Sequence, residues 1–347
     1  MKHWLFYACL GIFALIVLAI IIGTAYEMLG RRRAAREFPP CGKLVDIGGR
    51  RIHLDCRGSG SPTVVFEAGL DITGSLSWSK VHDEIAKTTR ACAYSRAGIM
   101  WSDPHDAPQN GKSIAEDLHA ALNKAGEQGP FVLVGHSLGG PYIMTYAKYF
   151  GAEVAGLVFV DASHPEQIQR FNAIPIISKS KLMQLKEKVA VALHWTGVVR
   201  AVAATYKRMP NQPEFDHQAM KAYASTSLGP MYKESQAVTQ TLAEAGTFCQ
   251  LGHRPLFVLT AMAPIPEQAL ADLKLTDEQA KQYQEILKQM HEEQASWSSQ
   301  SQHQLVTDTG HYIQFDRPEI VVAAVRSVVE KVRANFNGDP VIASRDI

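Results

Sequence analysis

Phe131-Val132-Leu133-Val134-Gly135-His136-Ser137-Leu138-Gly139-Gly140 is the stretch whose reading decides the fold. Its first four residues are apolar without alternation, the pattern of a strand buried on both faces. A helix-forming segment follows Gly140, so Ser137 falls on a tight turn between a strand and a helix. Serine is a poor nucleophile at neutral pH and needs an exposed seat, a neighbouring base and backbone N–H groups aimed at the oxyanion it creates. A strained turn at a helix start supplies that seat. Gly135 and Gly139 fit it, because a Cβ at either position would meet the neighbouring strand or helix.

Other runs share the strand character: Thr63 to Phe66, Leu157 to Val160 and Leu256 to Leu259 are apolar at nearly every position. Lys43 to Ile47 and Arg51 to Cys56 flank Gly48-Gly49, a hairpin signal that opens the domain with an antiparallel pair. Between strands lie helix patterns, such as Ser113 to Lys124, with Ile114, Leu118 and Leu122 at helical spacing and Ser113 and Glu116 as a capping box. Alternating strands and helices predict a parallel sheet covered on both faces. From His164 to Gly246 no comparable strand occurs, and Met183, Met209, Met220 and Met231 sit among aromatics in helix-prone segments. That interval reads as an inserted helical cap leaving the carboxyl end of a strand, where α/β sheets place ligands.

Trp4 to Ile22 is a run of 19 residues without a charge. It is long enough to cross a bilayer as a helix, and longer than the apolar region of about 7 to 15 residues in a cleaved signal peptide. Arg31, Arg32, Arg33 and Arg36 follow the run while Lys2 precedes it, which favours a cytoplasmic catalytic domain. The expected organisation is an anchor over 1–30, a juxtamembrane linker over 31–42, a core over 43–163 and 247–336, the cap over 164–246 and a tail over 337–347. With 35 basic and 34 acidic residues, no basic stripe speaks for nucleic acid. The five cysteines, Cys9, Cys41, Cys56, Cys92 and Cys249, show no zinc spacing and read as buried thiols, with a Cys41–Cys56 bridge open to an oxidising compartment.

Thirteen histidines compete to be the base. His311 is the best placed, on a loop after the strand-like Gln304 to Val306 and the turn Asp308-Thr309-Gly310, just before Asp316-Arg317-Pro318-Glu319 begins the last helix. His136 reads as packing, and His164, His253 and His303 lack the turn context. Asp161, ending the strand Leu157 to Val160, is the candidate to hold the imidazole, with Glu267 and Asp272 as rivals. The oxyanion N–H groups are expected from Leu138, next after the serine, and from Leu70 after Gly69.

These residues resemble the α/β-hydrolase family from about Lys43 to Val332. The likeness is concentrated in Val65-Phe66-Glu67-Ala68-Gly69, Ala93-Tyr94-Ser95-Arg96-Ala97-Gly98, the Ser137 turn and Thr309-Gly310-His311-Tyr312. The resemblance implies an α/β-hydrolase fold with a mostly parallel eight-stranded sheet and a Ser-His-acid triad without metal or organic cofactor. Two departures border the pocket: Ala68-Gly69 stands where members often carry His-Gly, and Ser95 where they often carry Asp. In this fold the acid usually follows the next strand, yet after Leu259 no carboxylate occurs before Glu267, which moves the expectation to Asp161. The expected activity is cleavage of a carboxylic ester, or an amide or thioester, of a small or lipid-like acid through an acyl-enzyme. The rivals are a ligand-binding protein on the same fold, which a fluorophosphonate probe would separate, and a lyase or haloperoxidase sharing the triad. A serine at position 137 argues against dehalogenase and epoxide hydrolase chemistry, whose nucleophile is a carboxylate.

Overall fold

The computed structural model describes residues 2–174, 181–273 and 275–338. Its strands are β1 (Lys43–Asp46), β2 (Arg51–Arg57), β3 (Thr63–Glu67), β4 (Ala91–Ser95), β5 (Phe131–His136), β6 (Val154–Val160), β7 (Leu256–Ala261) and β8 (Ser301–Val306). They form one eight-stranded sheet in the order β1-β2-β4-β3-β5-β6-β7-β8. Only β1–β2 and β2–β4 pair antiparallel, and every other pair is parallel. Its helices are α1 (Lys2–Glu37), α2 (Ser79–Ala86), α3 (Gly111–Ala125), α4 (Gly139–Tyr149), α5 (Gln167–Arg170), α6 (Lys181–Ala192), α7 (Val198–Ala203), α8 (Glu214–Gln236), α9 (Val238–Ala245), α10 (Glu267–Leu273), α11 (Asp277–Ser296), α12 (Ile313–Asp316) and α13 (Pro318–Gly338).

Side chains alternate across a strand, so each central strand feeds two cores. Val65, Leu133, Leu157 and Phe159 join Leu118, Leu122, Ile143 and Tyr146 of α3 and α4 on one face. Val64, Phe66, Val132, Val134, Val158 and Val160 join Val81 and Ile85 of α2 and the valine face of α13 on the other. Because both faces are covered, these strands are apolar throughout, which is why they were legible as buried strands.

Several expectations change. Asn110 caps α3 by accepting from the Ser113 N–H at 3.0 Å, so the helix starts before the expected Ser113 box. Strand β4, whose Ala-Cys-Ala-Tyr-Ser sequence is short and mixed, went unread as a strand, and with it the true cysteine pairing. Cys56 faces Cys92 across β2 and β4 and is bonded to it, with Cα atoms 4.0 Å apart, whereas Cys41 is exposed and free. Cys9 is also exposed, so the expectation of buried thiols fails for these two.

At the N-terminus, α1 runs unbroken from the apolar segment through the arginines, so the stretch expected as a linker is helical as far as Glu37. Arg, Ala and Glu are good helix formers, and the first proline, Pro39, comes only after the helix has ended. The described elements between β6 and β7 up to Gly246 are helical. Residues 175–180 of the expected cap, the Met183 side chain and residues 339–347 of the expected tail lie outside the described residues.

Candidate active site

Parallel register brings several strand ends to one edge of the sheet. Glu67 of β3 lies opposite Gly135, His136 opposite Val160, and Val160 opposite Leu259. The residues following β3, β5 and β6 therefore emerge side by side, and the loop after β8 joins them. Ser137 has φ +54°, a left-handed conformation rare for a side chain with a Cβ. The turn is held by Ser137 N–H to Val160 O at 3.3 Å and by Ser163 N–H to Ser137 O at 2.8 Å. A Cβ on Gly135 would fall 2.5 Å from Gly139 O, and one on Gly139 would fall 2.5 Å from Glu67 O. The close approach that forbids side chains there is what makes the turn sharp.

Asp161 also has a positive φ, +43°, as it leaves β6. Its Oδ2 accepts from His311 Nδ1 at 2.6 Å, and its Oδ1 accepts from the Ala261 N–H at 2.9 Å. Burial opposes ionisation of this carboxyl, but the hydrogen bond and charge of His311, with His291 and the Ala261 N–H, outweigh it and hold its pKa below the usual value. The Ser137 hydroxyl makes no hydrogen bond to His311 among the described residues, and catalytic contacts of an unliganded site often close only with substrate. Glu267 is exposed on α10, and the Asp272 side chain lies outside the described residues.

Leu138 and Leu70 flank the serine. Neither N–H donates to another group among the described residues, while the adjoining backbone is tied down: Asp71 N–H donates to Gly69 O at 2.9 Å, and Gly140 N–H to Ser137 O at 3.0 Å. Both side chains pack in one apolar cluster with Tyr142, Ile168, Val238 and Leu242, the last three from the segment between β6 and β7.

Three supporting residues were not read from the sequence. His136 was expected only to pack, yet its Nε2–H donates to the His311 carbonyl at 2.9 Å and ties down the loop that carries His311. Burial, then the charge of His311, pushes the His136 pKa down to about 3, so it stays neutral and keeps that role. His291, fully buried on α11, donates from Nε2 to Ala162 O at 2.9 Å and accepts at Nδ1 from Thr260 Oγ1 at 2.7 Å. His303 meets the same hydroxyl at 2.8 Å, so this histidine belongs to the support beneath Asp161. His253 instead bonds Ser299, and His164 packs on Trp297.

Arg96 is the third. Its guanidinium donates to Ala68 O at 2.8 Å, Gly69 O at 2.6 Å, Glu67 at 2.7 Å and Glu234 at 2.9 Å. All three charged side chains are almost wholly buried. Burial pushes Glu67 up to about 7 against the pull of Arg96, and raises Glu234 as well. The arginine belongs to the Ala93–Gly98 stretch that carries the family resemblance, but its partners are 29 and 138 residues away in sequence and invisible to spacing. Arg96→Met should lower stability by about 3–5 kcal/mol, because it leaves two buried carboxylates without their cation. Urea unfolding would read this, and a loss under about 1 kcal/mol would show that the arginine does not carry the loop.

A model of the alpha/beta hydrolase family matches residues 32–324. Among curated proteins, the "Probable transporter efuK" of Hormonema carpetanum is 26% identical over 84% of this chain and 43% of its own length. The uncharacterized protein YbdG of Bacillus subtilis is 25% identical over 44% of this chain and 48% of its own. An uncharacterized vacuolar membrane protein of Saccharomyces cerevisiae is 34% identical over 30% of this chain and 17% of its own. The chain thus spans less than half the length of these curated relatives. Two solved esterases share the fold. That of Thermogutta terrifontis has a TM-score of 0.53 at 18% identity over 84% of this chain and 98% of its own, and that of Exiguobacterium antarcticum 0.56 at 14% over 83% and 99%.

Proposed function

Since the chain belongs to the alpha/beta hydrolase family, we propose that it is a membrane-anchored serine hydrolase that cleaves a carboxylic ester, with amides and thioesters as the neighbouring possibilities. The observation that carries this reading is the conjunction, on one sheet edge, of the strained Ser137 with the His311–Asp161 hydrogen bond. In the proposed reaction, Ser137 Oγ attacks the acyl carbonyl while His311 Nε2 takes its proton. The Leu138 and Leu70 N–H groups receive the oxyanion, and the imidazolium protonates the leaving alcohol. Water, deprotonated by the same imidazole, then releases the acid and restores the serine. Asp161 holds the ring by Nδ1 and stabilises its charged form.

The substrate reading rests on the apolar cluster beside the serine. Ile168, Val238 and Leu242 meet Leu70 and Leu138 there, so the segment between β6 and β7 is proposed as a cap that meets an apolar acyl chain. Anchoring rests on α1, which is long and apolar enough to cross a membrane and whose apolar stretch is not buried against the rest of the protein.

A fluorophosphonate probe tests the reaction class. It should form one adduct, on Ser137, located by mass spectrometry of the digested protein. On a panel of p-nitrophenyl esters, Val238→Trp should shift the preferred chain length downward without reducing probe labelling. A protein that neither labels nor turns over any ester would return the ligand-binding reading.

A further inference from the structure

Helix α1 does not leave the folded domain freely. Gly23, Glu27, Gly30 and Ala34 fall at helical spacing on one face, and that face is seated on the segment between β6 and β7. Glu27 is buried and accepts from Arg200 Nε at 2.8 Å and from Ser225 Oγ at 2.7 Å. Gly30 leaves room for this arginine, since a Cβ there would fall 2.4 Å from Arg200 Nε. Lower on the helix the backbones themselves touch: a Cβ on Gly23 would lie 2.2 Å from Thr196 O, and one on Gly197 would lie 2.5 Å from Gly23 O.

This contact fixes a level. At about 1.5 Å of rise per residue, Trp4 to Ile22 extends roughly 28 Å, close to the thickness of a bilayer's hydrocarbon core. Gly23 is the next residue, so Thr196 and Gly197 stand where the apolar span ends. Around them the surface is unusually apolar for one in contact with water. Trp195 is 44% exposed, Leu193 40% and Val198 45%, while Leu185 and Val189, about two turns and one turn before Leu193, are 56% and 47% exposed. Lys186 and Lys188 stand exposed among them on α6, and Arg32 is exposed on α1 beyond the span, where the neighbouring Arg31 pairs with Glu27 at 2.7 Å. A tryptophan with branched aliphatics at the end of a membrane span, rimmed by lysine and arginine, is the composition of an interfacial surface on anionic lipid.

We infer that the α6–α7 segment, through Leu185, Val189, Leu193, Trp195 and Val198, lies in the lipid–water interface beside the point where α1 enters the bilayer. This rests on the anchored reading of α1. The apolar side chains dip toward the acyl chains and the basic ones meet lipid phosphates, so the protein holds the membrane by a span and by this segment of the proposed cap.

Full-length protein with Cys9, Cys41 and Cys249 replaced by serine, and its Cys56–Cys92 bridge intact, would be labelled with the environment-sensitive dye NBD at Phe13→Cys, Val189→Cys, Val198→Cys or Glu330→Cys. Each is reconstituted in phosphatidylcholine–phosphatidylglycerol vesicles carrying nitroxide lipids. The labels at 189 and 198 should lose most of their emission to nitroxides near the headgroups, that at 13 to nitroxides deep in the acyl chains, and that at 330 should keep its emission. Quenching at 13 with none at 189 and 198 would overturn the interfacial segment and leave the anchor standing. No quenching at 13 would remove the anchor and this inference together. Blue-shifted but unquenched labels at 189 and 198 would show that a second copy, not lipid, covers the surface, and would also overturn it.

Discussion

Ser137→Ala is expected to reduce kcat on p-nitrophenyl esters by about 10⁶-fold, the scale seen when a nucleophile is removed from a Ser-His-acid site. The same variant should take up no fluorophosphonate. The size of the effect follows from the chemistry, since without Oγ there is no acyl-enzyme and only binding and the N–H groups of Leu70 and Leu138 remain to favour attack by water. Stability should hardly change. The hydroxyl makes no hydrogen bond among the described residues, and alanine carries the same Cβ into the same left-handed conformation at φ +54°. Unfolding in urea and esterase assays on one preparation would separate the two effects. A variant that keeps its fold and its full turnover would end the serine-hydrolase reading, whereas one that loses both would point to a structural role for the hydroxyl.

How much of this was legible beforehand differs by layer. The central strands were plain because sheets covered on both faces demand unbroken apolar runs, and Val64 to Phe66 or Leu157 to Val160 can be little else. The serine turn was plain because its geometry needs glycine at fixed offsets. Strand β4 was not, since Ala91-Cys92-Ala93 is small and short and carries no strong strand preference. Missing that strand hid the Cys56–Cys92 bridge, which depends on β2 and β4 being neighbours. Tertiary supports were hidden for another reason. His136, His291 and Arg96 act on backbone carbonyls of Ala68, Gly69, Ala162 and His311, groups that every residue possesses and no sequence pattern marks. The clue that was available is a cost: arginine and histidine are seldom fully buried without partners, so each one in an apolar setting asks where its hydrogen bonds go.

Asp161→Asn tests the residue whose choice depended on an absence, the lack of a carboxylate close after β7. Turnover should fall by about 10⁴-fold with little change in fold. The surrounding hydrogen bonds say why an amide fails where a carboxylate works. Ala261 N–H donates to Oδ1, so in the variant the amide oxygen is drawn to that position and the NH₂ group faces His311 Nδ1. A donor there forces Nδ1 to accept, which moves the ring proton to Nε2 and leaves no lone pair for the serine proton. Turning the amide over would restore the tautomer, but it would set NH₂ against the Ala261 N–H and leave a buried donor unpaired, a penalty of about 1–3 kcal/mol. Either arrangement lowers the population of competent enzyme. Glu267→Gln should leave the rate unchanged, because Glu267 is exposed on α10. Rates within about 10-fold of the parent for Asp161→Asn, a barrier change of about 1.4 kcal/mol, would remove Asp161 as the acid. Probe labelling of Ser137 would survive that outcome, and the orienting group for His311 would then have to be sought elsewhere on the same sheet edge.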